Sequence, residues 1–395
     1  MYWVTIIIAG LWAADAPSHR VDTIEATSIR GTIAAVTADQ VELQTKEGKQ
    51  SIPRGEVARL TLAAPGDAQT RLSQAMVMTL DGAELAAQSV SLDQGKLAVS
   101  LAGVSSLEIP IAQVKAIYLP DAKSCVEDIR AKCDELKIAA STQDVLVAVK
   151  KDGAYVSVQG AVKAIDAGGV TFNWKESDRR SARDTVRAVL LGQTAPPAAA
   201  PRGGMLVMCN GSRLPWASLT LDDKAFHVET SLAKALTLDR GLVASVSFNS
   251  DKVTDLAELV PDAVEQHGLL GEGFKYRRGQ SVSGTPLCMN KQTYSSGLGL
   301  HSYTSLSYNI DGKYARLAAL AGIDDAAAAG GDALLVVLGD DKPLIQPMRL
   351  RRGQPPQVVH AQLKDVKRLM IRVEFGPDKL DVGDHVDLVA ARLIR

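Results

Sequence analysis

The sequence predicts a mainly β protein: tandem small SH3-like or Sm-like barrel repeats followed by a β-sandwich. Two observations carry that prediction. A degenerate repeat runs through the first 250 residues, and longer alternating apolar strands replace it after about Lys252. At 395 residues the chain is long enough for several cores. Aromatics make up only 4% of it, so those cores must be built mainly from Val, Leu, Ile and Ala.

The first residues read MYWVTIIIAGLWAADAP. An apolar run, Val4 to Trp12, precedes the small-x-small triplet Ala14-Asp15-Ala16, the pattern of a cleaved signal peptide over residues 1–16. The run is too short to cross a bilayer, and no other stretch is apolar for 18 residues. A secreted or periplasmic bacterial protein, with no membrane span after signal removal, is the expectation.

Four segments then end alike: EVARLTL (56–62), QVKAIYL (113–119), TVRAVLL (185–191) and LVASVSF (242–248). Val57, Val114, Val186 and Val243 hold the same place in each, at intervals of 57, 72 and 57 residues. Before each ending stands an Asp-centred turn with apolar alternation: TADQVELQT, SLDQGKLAVSL, AIDAGGVTFNW and TLDDKAFHVET. The last three copies open with Asp81-Gly82, Asp152-Gly153 and Asn210-Gly211, Asx-Gly pairs that mark hairpin turns. Each unit is therefore four or five short strands, and the units occupy 17–62, 75–119, 145–191 and 204–250. Between the second and third, Val126, Ile129, Cys133, Leu136 and Ala140 follow helical spacing, giving a helical connector over 120–144. A Pro/Ala linker, 192–203, precedes the fourth unit.

Nothing in the repeats has the form of a catalytic site. SDRRSAR (177–183) reads as a basic hairpin tip, and His227 as a strand histidine. Lys plus Arg (44) balances Asp plus Glu (45), which argues against a nucleic-acid partner. Cys125, Cys133, Cys209 and Cys288 form no CxxC pair, so a zinc site is not expected. Cys125 and Cys133 lie two turns apart on one helix, too far to bridge.

From 252 to 395, LSYNI, ARLAALAGI, ALLVVLG, QVVHAQL, RLMIRVEF and VDLVAARLI read as strands between Gly, Asp and Pro turns. In RLMIRVEF, Leu369, Ile371, Val373 and Phe375 alternate with Arg368, Met370, Arg372 and Glu374, the pattern of a half-buried antiparallel strand. Two facing sheets are expected, with GLGLHS as a glycine-rich segment leading into a strand.

The segment GLGLHSYTSLSYNIDGKYARLAALAGIDD (297–325) resembles the conserved block of the NPCBM family, named for a carbohydrate-binding module. The likeness rests on Gly297, Gly299, His301, Tyr308, Gly312-Lys313-Tyr314 and Gly322-Ile323-Asp324-Asp325, and on a closing DHVDLVAARL from Asp384 to Leu393. Leu388 stands where the family has tryptophan, and Asp340-Asp341 where it has Asp-Gly. The resemblance implies a galactose-binding-like jelly-roll β-sandwich over 252–395, with a carbohydrate or a protein as partner.

A neutral sugar needs hydrogen-bonding groups for its hydroxyls and an aromatic face for its C–H patch. The ligand-binding candidates are His301, Tyr303, Tyr276, Asp384, His385 and Asp387, expected on the sandwich rim. Asp324 and Asp325 either close a turn through backbone amides or hold a structural calcium; no other cofactor is expected. GxSxG, P-loop and HExxH motifs are absent from the sequence. The chain therefore reads as a non-enzymatic carrier of a domain that binds a carbohydrate or cell-surface glycan. Its alternatives are a protein-interaction or structural module without sugar affinity, and an accessory subunit of a glycoside hydrolase.

Overall fold

A computed structural model describes residues 19–395, apart from 63–73, 123, 141, 194–200, 202, 250–251, 270, 272, 295 and 328–329. The N-terminal segment read as a signal peptide, and most of the Pro/Ala linker, lie outside the described residues. The fold is mainly β, and two compact units divide it. One holds most of residues 30–248; the other comprises Asp22–Ile29, Glu56–Ala58 and Asn249–Arg395.

In the first unit each repeat is a meander whose closing strand returns to pair with its opening strand. Val114–Tyr118 pairs with Ala75–Thr79, Val186–Leu190 with Asp144–Val149, and Val243–Phe248 with Gly204–Met208. The four aligned valines that open these strands are all buried, from 0 to 2% exposed. Among the described residues the strands join into one open hydrogen-bonded network of 21, and no repeat is a closed barrel. The closing strands also pair with one another. Ile117 lies opposite Val189 across the second and third repeats, and Val246 opposite Leu60 across the fourth and first. Each closing strand thereby loses a bare edge that would otherwise template aggregation.

The helix Val126–Glu135 explains the longer interval between the second and third repeats. It lays Val126, Ile129 and Cys133 over Tyr118, Val147 and Leu190, covering the sheet at that seam. Two readings need correction here. SDRRSAR is not a tip: Ser177–Ala182 is a strand paired with Gly169–Trp174, and the turn is at Lys175-Glu176, both at positive φ. In the Asx-Gly turns only the glycines Gly82, Gly153 and Gly211 take positive φ.

The C-terminal unit is built from two antiparallel sheets. The first runs Arg277–Arg278, Gly297–His301, His385–Ile394, Arg316–Ile323, Gln357–Gln362, with Val253–Asp255 also on His385–Ile394. The second runs Ala263–Gln266, Thr304–Asn309, Arg368–Phe375, Asp332–Gly339, Lys342–Pro343, with Met348–Arg351 also on Asp332–Gly339. Leu298, Leu300, Leu306, Leu335, Ile371 and Leu388 are among the residues of the core, each without solvent exposure. Leu388, in the tryptophan's place, is thus a packing residue. GLGLHS leads into the tyrosine-bearing strand Thr304–Asn309 as expected, but it is no loop: Gly297–His301 is itself a buried strand.

Tyr308 fills the same core at 1% exposure, and its hydroxyl has no hydrogen-bond partner among the described residues. Burial pushes its phenol pKa up, because the anion would lose its hydration. Removing a buried, unpaired hydroxyl relieves a desolvation cost. Tyr308→Phe is therefore expected to leave stability unchanged or raise it by about 1 kcal/mol, as chemical denaturation would measure.

Candidate functional site

The chain crosses from the first sheet to the second at His301-Ser302-Tyr303. There His301 sits opposite His385, the first residue of the long strand His385–Ile394. Their ring centroids are 5.4 Å apart. Phe274 packs against both, at 4.6 Å from His301 and 5.2 Å from His385. Next to them His267 stacks on Tyr303, with centroids 4.5 Å apart and planes 12° from parallel. Reciprocal backbone hydrogen bonds of 3.2 and 3.1 Å between His267 and Tyr303 hold that stack. Phe375 closes the row, 6.4 Å from His267.

Hydrogen bonds behind the rings fix their orientation. A carbonyl can only accept, so the 2.6 Å contact from His301 Nδ1 to the Ser302 oxygen places a proton on Nδ1. Ser302 Oγ donates to Asp384 at 2.6 Å, and Asp384 also accepts from the Asp332 amide at 2.8 Å. Asp332 is in turn held by both sides of the Arg349 guanidinium. Burial lowers the pKa of His301 and of His385, favouring neutral imidazoles at pH 7. Burial pushes Asp384 up to about 6. The front of the cluster is therefore aromatic, with neutral donors and acceptors.

Exposure divides the predicted residues. Phe274 is 47% exposed and His267 is exposed, whereas Tyr303 and His385 are half-buried. His301 and Asp384 are buried, at 3% and 1%, so they support the surface from behind instead of forming its rim. Tyr276 is half-buried against the sandwich core and belongs to its packing.

Asp387 does not join this cluster. It is 1% exposed and lies with Asp324 beneath the hairpin Leu287–Met289/Gln292–Tyr294, where the Cys288 amide donates to both, at 3.0 and 3.2 Å. A rim role is thereby corrected to an interior one, because the hairpin covers the face of the strand that carries Asp387 and Val389. The oxygens of Asp324 and Asp325 accept from the amides of Cys288, Asn290, Lys291 and Ala326. Carboxylates that accept from backbone amides in this way close a turn. Among the described residues, no group of three or more His, Cys, Asp or Glu is placed to hold a metal. The four cysteines are free.

The sequence reading missed Phe274 and His267. Both are aromatic rings close to glycines, in HG (267–268) and EGF (272–274), within a segment poor in strand signal. The remaining clue is that flexible backbone lets such rings reach a distant strand.

A family model, the NPCBM/NEW2 domain, matches residues 255–394. These residues are an NPCBM/NEW2 domain. Its structural neighbours are CBM51 carbohydrate-binding modules. One is the CBM51 of Clostridium perfringens GH95, solved with methyl-galactose: 19% identical, covering 36% of this chain and 99% of that one, with a TM-score of 0.32. Another is CBM51-2 of Clostridium perfringens ZmpB, solved with GlcNAc and INT domains: 22% identical, 44% of this chain and 38% of that one, TM-score 0.32. In Renibacterium salmoninarum, a protein named "Putative endo-alpha-N-acetylgalactosaminidase" is 31% identical over 93 residues. The match spans 24% of this chain and only 6% of that relative's length. No helix of the described residues is long and apolar enough to cross a membrane.

Proposed function

We propose that the NPCBM/NEW2 domain binds a neutral carbohydrate on the surface made by Phe274, Tyr303, His267 and His385. The observation that carries this reading is Phe274, nearly half exposed while packed on two histidines. An exposed ring on a rigid base offers its face to the C–H patch of a sugar. The imidazole nitrogens beside it offer hydrogen bonds to hydroxyls. In the same reading the four repeats are SH3-like units that serve as spacer or platform, and the chain is non-catalytic and exported. The repeat reading is supported by the closing strand that returns to the opening one, and export by the leader-like pattern of the first residues.

A glycan array probed with the full chain tests the sugar reading. Binding to at least one neutral glycan is expected, with Phe274→Ala weakening it about tenfold or more, equivalent to about 1.4 kcal/mol. A blank array with folded protein overturns it. The second reading, contact with a protein, is supported by Leu269, Leu380 and Val382, which are 45 to 56% exposed. The Asp381 carboxylate accepts from the Leu269 amide at 2.9 Å, drawing these aliphatic loops together. Such a contact includes a role as accessory subunit of a glycoside hydrolase, for which co-purification of a catalytic partner is the test.

A further inference from the structure

Two seams between repeats are built alike, and only one of them is filled. Where the fourth repeat meets the first, Leu221 pairs with Val36; where the third meets the second, Ile165 pairs with Leu92. Arg54 and Ile111 each open a one-turn helix just before an aligned valine, and their amides donate back to Asp39 and Gly95 of the preceding turn. Gly204 pairs with Trp216 on one side and with Phe248 on the other. Asp144 pairs with Gly160, and the pairing of Val145 with Leu190 puts Leu191 on its other side. Ile111, Gly160, Leu191 and Asp144 therefore hold the places of Arg54, Trp216, Phe248 and Gly204.

At the seam of the fourth and first repeats those places are full. The buried Trp216 ring meets Phe248, and the Arg54 guanidinium lies over both rings, at 5.1 and 5.2 Å. At the other seam glycine supplies no ring and isoleucine no guanidinium. A cavity of about 320 Å³ is left there, bordered by Ile111, Asp144 and Leu191. That is the lower end of the range of small-ligand sites, about 300–1,000 Å³. Leu92 and Val162 join Ile111 and Leu191 in giving it aliphatic walls. The two carboxylate oxygens of Asp144 accept one amide each, from Gly192 at 2.8 Å and Val162 at 2.9 Å. Each oxygen therefore keeps a further acceptor site. Lys163, which is exposed, also lines the cavity.

We propose that this cavity is a binding site for an aromatic ring that carries one hydrogen-bond donor, an indole or a phenol. The fold itself supplies the template, because the matching places at the other seam take an indole with a cation over it. A bound ring would bury its faces against the aliphatic walls. Its N–H or O–H would donate to Asp144, a charge-assisted bond. The Lys163 ammonium would cover the ring, the part that Arg54 plays over Trp216. A saccharide would press its hydroxyls against aliphatic walls at a desolvation cost, and a cationic ligand would meet Lys163.

Methyl NMR of the full chain titrated with indole tests the assignment. Shifts are expected at the methyl groups of Leu92, Ile111, Val162 and Leu191, with a dissociation constant of about 1 mM, and not at Leu60 or Val246 of the other seam. 1-Methylindole, which lacks the N–H, should bind about tenfold more weakly. Leu191→Phe and Ile111→Arg place the side chains of the filled seam in the cavity, and each should weaken indole binding about tenfold or more. A Gly-Trp-Gly peptide is the second probe: tighter binding than indole at the same methyls assigns a partner's side chain, and its exclusion assigns a free aromatic compound. Thermal unfolding checks that each variant is folded; should Leu191→Phe unfold the repeat, Ile111→Arg, at a half-buried position, decides. The proposal is overturned if about 10 mM indole leaves those methyls of the folded wild type unmoved. It is equally overturned if binding survives the folded filled variants, or if 1-methylindole binds as tightly as indole.

Discussion

Raising the pH from about 6.5 to about 9 is expected to destabilise the C-terminal unit, and Asp387→Asn is expected to abolish that loss. Asp387 is 1% exposed, and one of its carboxylate oxygens has no hydrogen-bond partner among the described residues. Burial and the hydrogen bond to Asp324 push its pKa up to about 9, against an unfolded value of 3.8. The folded protein thus keeps a proton that the unfolded chain releases. Such a group contributes stability that is fully present below pH 3.8 and is lost as pH rises through about 9. The loss can reach about 1.4 kcal/mol per pH unit. Asp384, pushed up to about 6, acts in the same direction over a narrower range. His301 and His385, with lowered values, act oppositely: their contribution is lost as pH falls through the folded values. Above about pH 6.5 these groups have largely titrated, leaving Asp387 dominant. Asparagine retains an oxygen for the Cys288 amide and an NH2 for Asp324. Melting curves at pH 6.5 and 8.5 should therefore show a pH-dependent wild type and a nearly invariant variant, the variant being more stable at 8.5. Equal pH dependence of the two proteins would refute the assignment.

Trp216→Ala is expected to cost the repeat unit about 3–5 kcal/mol. The side chain is 1% exposed, meets Phe248 edge-on at 5.4 Å, and lies under the Arg54 guanidinium at 5.1 Å. Arg54 also donates to the Thr37 and Leu219 carbonyls, tying the first repeat to the fourth. Alanine removes the indole from between these partners and leaves a cavity that strand pairing prevents from collapsing. Trp216→Phe should cost far less, below about 2 kcal/mol, because most of the ring volume stays. It also removes an indole N–H that is buried without a partner among the described residues. Urea denaturation of the full chain measures both; an alanine variant within about 1 kcal/mol of wild type would remove Trp216 from the core.

Strand positions were legible because both units are built from period-two alternation, and burial enforces that pattern. RLMIRVEF folds as the strand Arg368–Phe375, with Leu369, Ile371 and Val373 at 0% exposure. The buried valines at 57, 114, 186 and 243 were legible for the same reason. GLGLHS was harder to read, because its glycines allow close approach: a Cβ on Gly299 would lie 2.4 Å from the Gln280 carbonyl. Glycine weakens the local strand signal where tertiary packing most requires it. The site was legible only in part. His301, His385 and Asp384 come from the motifs, and the folded chain brings them together with Tyr303. Phe274 and His267 reach them through contacts distant in sequence, which no local pattern encodes. Asp387 was misplaced because DHVD shows which residue types are adjacent and not which of them a neighbouring hairpin covers.

The pairing of closing strands is nested: the second and third repeats clasp each other inside the clasp of the first and fourth. A pulling force that enters at the first repeat and leaves after the fourth therefore passes straight across the outer clasp. The two inner repeats are shielded until Ser245, Val246 and Ser247 part from Thr61, Leu60 and Arg59, and the Val36–Leu221 and Arg54–Leu219 links give with them. Once they part, a long reserve of chain becomes available to lengthen, so the protein would yield in steps.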